Sequence, residues 1–269
     1  MKRIVTAAFL IAVVFPTVRL LWLPAFWAVL LGVVLIAAME LRELLTRLDR
    51  PPWPGLAVGG ALATTLCFAF DPNPLVPVLA GFVVLVLGRA ALSRRTPAQR
   101  VDRITATLFP AVYLGVTIGH AGGLLMLPVR SNVDRGDMLI LLMAAVYVGD
   151  TTALVGGKLL GRHQLAPLTS PRKTWEGAIC GVLGAIGASL LAPAWFAQDL
   201  PVRHAITIGL LLGVAGILGD LVESILKRAA GVKDSGELLP GHGGMLDRID
   251  SLLLAAPTLY WYQRLILAP

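Results

Sequence analysis

Charge is scarce in this 269-residue chain: Asp, Glu, Lys and Arg make up 14% of it, against 57% hydrophobic residues, and the mean hydropathy is +0.78. So little polar surface cannot cover a water-soluble globule, which excludes a soluble domain and leaves a membrane protein. Cysteine is equally sparse. Cys67 and Cys180 lie in unrelated apolar segments without a CxxC, which argues against a disulfide or a thiolate metal site and reads both as core residues. The histidines offer no metal-ligand spacing. His120 lies in an apolar Gly-rich run, His163 beside Arg162 in a basic loop and His204 at an outer helix start, and each reads as structural. There is no internal repeat, low-complexity tail or soluble appendage, so the chemistry has to come from the apolar helices and their loops.

Long apolar runs are what the chain has in quantity. About nine are long enough to cross a bilayer, at 4–22, 25–41, 55–70, 75–92, 106–127, 137–156, 175–197, 204–226 and 251–267, an all-α polytopic membrane fold. The breaks carry turn residues, as in "DRPPWPG", "DPNP" and "SRRTPAQR". Lys2 and Arg3 ahead of the run from Ile4 to Val18 have the outline of a secretory signal, but Arg19 and "LWLPAFW" make a poor cleavage site, so this is expected to be a retained first span. Trp22, Trp27, Trp53, Trp195 and Trp261 fall near span ends, as interfacial anchors do.

If nine spans alternate in direction, Arg19, Arg130, Arg135, Arg203 and Arg264 fall on one side and every other Lys and Arg of the 23 on the side of the N-terminus. The positive-inside rule then places the N-terminus and the basic loops in the cytoplasm; an eight-span count would spoil the partition. The formal charge of +7 suits either anionic lipid or a phosphorylated substrate, and does not choose between them. The expected organisation is one membrane-embedded domain, 1–269, with N-terminal spans at 1–105 and the site-bearing spans and loops at 106–269.

Two cytoplasmic loops differ from the rest, Gly149–Gly177 and Gly219–Ser251. At 100° per residue, Asp220, Glu223, Ser224, Lys227 and Arg228 occupy an arc of about 140° on one helix face. Ionisable groups at bilayer depth cost about 2.5–3.5 kcal/mol each on insertion scales, so such a face lines a cavity or is internally paired. The plainer alternative is a Glu223–Lys227 interfacial helix pair, which leaves Asp220 and Ser224 unexplained.

Downstream, "PGHGG" is a turn and "MLDRIDSLLLA" opens the last apolar helix, which puts Asp247, Asp250 and Ser251 on one face of its first turns. Acidic residues there also serve as ordinary helix-dipole partners. Their neighbours point further. Gly243 and Gly244 let backbone N–H groups approach a phosphate, and Lys233, Arg248 and His242 add counter-charge. Carboxylates beside cations, glycines and a helix start suit a magnesium nucleotide, most economically with Asp220 facing Asp247 or Asp250. In "SPRKTWEG", Ser170 and Pro171 read as a helix N-cap and first position. Arg172 and Lys173 would then sit in a first turn where cations oppose the dipole, a conflict eased by a bound phosphate; the alternative is a basic interfacial collar. Asp150, in "GDTTA", can approach the same cavity.

The stretch "SILKRAAGVKDSGELLPGHGGMLDRID", Ser224 to Asp250, resembles the signature of the phosphatidate cytidylyltransferases, or CDP-diacylglycerol synthases. It carries the Ser-x-apolar-Lys-Arg, the Lys-Asp, the Pro-x-His-Gly-Gly and the Asp-Arg-apolar-Asp of that pattern. "SPRKTWEG" and "GDTTA" resemble other segments of the family, and the multi-span layout agrees over nearly the full length. Leu154 departs from an expected aromatic residue, and Lys158 and Arg162 exchange one base for the other, leaving the charge pattern intact.

The resemblance implies transfer of the cytidylyl group of CTP to phosphatidate, giving CDP-diacylglycerol and pyrophosphate at the cytoplasmic face of a bacterial-type inner membrane. It implies Asp220 and Asp247 as magnesium ligands, with Asp250 a third ligand or a carboxylate behind them. Lys173, Lys227, Arg228, Lys233 and Arg248 would hold phosphate oxygens, Ser170, Ser224 and His242 would hydrogen-bond substrates, and Gly243 and Gly244 would give backbone access. The expected partners are CTP, phosphatidate and membrane lipids, with no nucleic acid and with a homodimer left open. A CTP-using lipid kinase would share the basic loops but move the γ-phosphate. A transporter would place charges inside a membrane but has no reason to carry GHGG beside this acidic set. The Asp-Gly motif of the alcohol phosphotransferases is absent.

Overall fold

The computed structural model describes residues 23–71, 73–127, 136–198, 200–236 and 243–267, and these are almost wholly helical. The expected first span, 4–22, lies outside them. Among the described residues, five helical segments are long and apolar enough to cross a membrane. These are α1 (Leu23–Arg47), the column Pro97–Gly123, α6 (Asp137–Leu160), α7 (Trp175–Trp195) and α8 (Val202–Ala229). The column consists of α4 (Pro97–Pro110), a π-helical turn (Ala111–Val116) and α5 (Thr117–Gly123). Two shorter apolar helices, α2 (Pro54–Leu66) and α3 (Leu75–Ala91), lie between α1 and α4, and α9 (Leu246–Tyr262) follows α8. The chain is a helical membrane protein.

The chain divides into two compact units, one containing Leu127–Val222 and Asp250–Pro269, the other Trp27–Met126 and Glu223–Ile249. Helices α8 and α9 contribute residues to both.

In the first unit, α6 and α7 meet through small residues, the device by which apolar helices approach closely where no hydrophobic drive separates protein from lipid. Gly181 of α7 lies against Ala153 and Gly149 of α6; a Cβ on it would stand 2.9 Å from Ala153 Cβ and 3.2 Å from the Gly149 carbonyl oxygen. Between these helices runs a hairpin of β1 (Gln164–Ala166) and β2 (Ser170–Thr174), antiparallel with Gln164 opposite Thr174 and Ala166 opposite Ser170.

This hairpin corrects the expectation that Ser170 caps a helix. Ser170 and Pro171 are in β2, and α7 starts four residues later, where the Thr174 hydroxyl accepts from Gly177 N at 3.1 Å. The physical reason is the dipole conflict itself. A start at Ser170 would place Arg172 and Lys173 in the first turn, whereas the start at Trp175 places Glu176 there. Glu176 also accepts from the backbone N–H groups of Arg162 and His163 and meets His163 Nδ1 at 2.6 Å, which pins the base of the hairpin.

In the second unit, α2 packs on the π-helical turn, where the Thr64 and Thr65 hydroxyls lie 3.0 and 3.2 Å from the carbonyl oxygens of Ala111 and Gly115. Trp53 is buried with Val86 and Ala90, and the guanidinium groups of Arg89 and Arg103 stand over its ring at 5.4 and 5.3 Å. The same unit contains the C-terminal end of α8, where Gly231 adopts φ +70. Val232 N donates to Lys227 O and Gly231 N to Arg228 O, a Schellman closure that ends the helix just after its two basic residues.

Candidate functional site

In the first unit, α8 and α9 touch backbone to backbone at Gly219. A Cβ there would strike the Asp250 carbonyl oxygen and come within 3.2 Å of Ser251 Cα. That approach brings the next residue, Asp220, and Asp250 together, with carboxylate oxygens within 4.8 Å of each other. Glu223 follows Asp220 by one turn on the same unbroken helix, and the acidic pair of Asp220 and Asp250 could hold a metal ion. Hard carboxylate oxygens at such spacing fit a divalent cation of the magnesium or calcium type. The hairpin delivers a cation to the same place: Lys173 Nζ lies 2.7 Å from Asp220 Oδ2. Ser251 Oγ stands 3.5 Å from Asp150 Oδ1, so Asp150 lies beside this half of the site.

In the second unit, Lys227 is the centre of a buried charge group. Its ammonium contacts the fully buried Glu223, one turn earlier on α8, and lies 2.5 Å from Asp247 Oδ1. Asp247 Oδ2 accepts from Ser235 N at 2.9 Å and from Gly244 N at 2.8 Å, with Ser235 Oγ also 2.9 Å away. Burial pushes the Asp247 carboxyl up, but the hydrogen bond and charge of Lys227, together with the Ser235 and Gly244 amides, outweigh it and hold the group down at about 2. Gly243 makes the turn into α9 at φ +77, a conformation that disfavours a side chain.

The structure therefore distributes the expected site residues unevenly. Asp220, Asp250 and Lys173 come together in one unit, and Lys227 and Asp247 in the other. Both Asp247 oxygens are engaged by Lys227, Ser235 and Gly244, while Asp250 lies beside Asp220. The Gly244 N–H, expected to face a phosphate, is donated to Asp247.

Arg228 is exposed and its guanidinium donates to Val232 O at 3.1 Å. Lys233 is exposed, Ser224 is buried, Arg248 is half-buried and Ser170 lies on β2 three residues before Lys173. His242 lies outside the described residues. Sequence reasoning missed Ser235 and Glu40 altogether. Glu40, on α1, accepts from Met245 N and Leu246 N at 2.8 Å each, and nothing in its local pattern announces that role.

Fold and site together define a class: a helical membrane protein with a carboxylate group able to hold a cation and lysines placed to meet anions. More narrowly, the chain belongs to the cytidylyltransferase family, whose pattern matches residues 1–266. It is 36% identical over 243 residues to the uncharacterized protein YnbB of Escherichia coli, covering 88% of this chain and 80% of that one. To the phosphatidate cytidylyltransferase of Mycobacterium bovis it is 31% identical over 255 residues, 88% of this chain and 80% of the relative. To that of Synechocystis it is 46% identical over 130 residues, which is 48% of this chain and 43% of the relative.

Proposed function

We propose that this chain is a nucleotidyltransferase that moves the cytidylyl group of CTP to phosphatidate, forming CDP-diacylglycerol and pyrophosphate for phospholipid synthesis. It would do so as a single catalytic domain in a bacterial-type inner membrane, with its site facing the cytoplasm and its N-terminus on the same side. The observation that carries the reading is the pairing of two carboxylates, Asp220 and Asp250, with a lysine delivered by the hairpin, Lys173. Family membership and the phosphatidate cytidylyltransferases among its relatives support the choice of substrates.

In this reaction a phosphate oxygen of phosphatidate attacks the α-phosphorus of CTP, the bond from that phosphorus to the β-phosphate bridging oxygen breaks, and pyrophosphate departs. Both reactants are polyanions, so positioning and charge neutralisation are the main demands, and no protein nucleophile is required. Asp220 and Asp250 would hold magnesium, which when bound supplies positive charge to phosphate oxygens. Lys173 is near enough to the acidic group to hold a phosphate beside it. Lys227 is the fixed counter-charge of Glu223 and Asp247, while Arg228, Lys233 and Arg248 add the positive field that draws the nucleotide and lipid phosphates. Ser170, Ser224 and His242 remain as hydrogen-bonding positions for the substrates, Asp150 as a neighbour of the site, and a homodimer as a compatible assembly.

The test is to incubate purified protein with phosphatidate, magnesium and CTP labelled at the α-phosphate. Label recovered in CDP-diacylglycerol is the expected result. Label passing to lipid only from γ-labelled CTP would make the protein a lipid kinase instead, and no CTP turnover at all would remove the enzymatic reading.

A further inference from the structure

We propose that Glu40 is a positioning residue for the site. It would seat residues 243–245, which lead into α9, and thereby hold Asp247 against Lys227. The inference lies wholly within the second unit, and its catalytic consequence rests on the function proposed above.

Helix α9 begins at Leu246, and the amides that open a helix have no partner within it. Here the acceptor comes from a different helix. Glu40 Oε1 accepts from Met245 N and Oε2 from Leu246 N, each at 2.8 Å, across 205 and 206 residues of sequence. A carboxylate at that end of a helix also meets the positive end of its dipole. Ser235 Oγ lies 3.1 Å from Glu40 Oε2 and 2.9 Å from Asp247 Oδ2, so one hydroxyl stands between the two carboxylates.

The surrounding glycines are shaped to this carboxylate. A Cβ on Gly236 would stand 2.6 Å from Glu40 Oε1, and one on Gly244 would stand 2.5 Å from Glu40 Oε2. Gly244 therefore has a second duty besides its N–H bond to Asp247: its bare Cα leaves room for Glu40. The chain of contacts runs from Glu40 through Ser235 and Gly244 to Asp247, and from Asp247 to Lys227. Glu40 acts by fixing this segment.

Glu40→Gln tests this with minimal change of shape. One carboxylate oxygen becomes an NH2 group, which sets a donor against the Met245 or Leu246 N–H and leaves that amide without an acceptor. The full chain, in detergent or nanodiscs, is assayed for kcat and KM, and peptide-level hydrogen exchange is measured alongside. The expected result is a kcat lowered about tenfold or more with KM for CTP moved less than about threefold. Exchange should rise in the segment 243–249 and stay unchanged in α2. Glu40→Asp, which keeps both acceptor oxygens on a shorter arm, should recover part of the loss. Gly244→Ala, which presses on the Glu40 carboxylate, should show the same exchange signature, so the test survives if Glu40→Gln does not fold. Wild-type exchange in 243–249 for the variants, or wild-type kcat in Glu40→Gln, would overturn the proposal. If the wild-type protein makes no CDP-diacylglycerol, the function proposed above fails, and the exchange result still decides the role of Glu40 in seating residues 243–245.

Discussion

Lys227 Nζ lies 2.5 Å from Asp247 Oδ1, joining the last turn of α8 to the first turn of α9. The same ammonium pairs with Glu223, a side chain with no solvent exposure. A cation held between a fully buried carboxylate and a partly buried one is a structural counter-charge first, and its removal leaves the Glu223 charge buried without this cation and Asp247 with only its Ser235 and Gly244 donors.

Lys227→Ala should therefore destabilise the protein by about 3–5 kcal/mol, the usual cost of deleting one partner of a buried ion pair, and abolish CTP turnover. Adding Glu223→Gln to Lys227→Ala should recover part of the stability, because one orphaned charge is neutralised, without restoring activity. Thermal unfolding in detergent beside a CTP turnover assay separates the two effects. A Lys227→Ala protein with wild-type melting temperature would show that the pair is not a structural element.

The Asp247 carboxyl, held at about 2 against an ordinary 3.8, gives a pH prediction whose sign follows from the direction of the shift. A depressed carboxyl contributes stability that is fully present above its unfolded value and is lost as pH falls through its folded value. Asp247 is thus ionised at every pH above about 4 and supplies no acidic limb to the rate profile in that range. Asp247→Asn should lower the rate by a constant factor from pH 5 to 9, leaving the profile parallel to wild type. An acidic limb that disappears in Asp247→Asn would contradict the assignment.

How much of this was legible in the sequence depends on how local each feature is. The polar face from Asp220 to Arg228 follows from helical periodicity alone, and the structure keeps it on one helix. The start of α9 ahead of Asp247 was legible from "PGHGG" and the acidic first turn. The hairpin was not, because Ser170–Pro171 has the chemistry of a helix start, and only the pairing of Gln164–Ala166 with Ser170–Thr174 draws those residues into a strand. The separate surroundings of Asp247 and Asp250 were not legible either. The two are one turn apart, and they differ through Ser235, Gly244 and Lys227 for one and through Gly219 for the other. Glu40 lies furthest from reach, since its partners are some two hundred residues away and no pattern on α1 encodes them.

The contact of α6 with α7 gives a paired stability prediction. Gly181 and Gly187 are both on α7, but a Cβ at Gly181 meets Ala153 Cβ at 2.9 Å while one at Gly187 meets nothing within 4 Å. Alanine gains the same helix propensity at either position, so the comparison isolates packing. Gly181→Ala should be less stable than Gly187→Ala by about 1–3 kcal/mol, the range for overpacking a close contact. Melting temperatures of the two proteins under one detergent condition check it, and equal values would mean that the two helices can separate without cost.

The last prediction turns on which carboxylates meet the metal. If Asp220 and Asp250 hold magnesium, Asp250→Asn removes an anionic ligand and should raise the magnesium concentration for half-maximal activity by about tenfold or more, with a part of the rate recovered at high magnesium. Asp247 has its oxygens occupied by Lys227, Ser235 and Gly244, so Asp247→Asn should reduce kcat at saturating magnesium while leaving the half-saturation point within about threefold of wild type. Titrating magnesium into each purified variant at fixed CTP and phosphatidate distinguishes the two patterns. The reverse outcome, a large shift for Asp247→Asn and none for Asp250→Asn, would exchange their roles and make Asp247 the ligand of the pair.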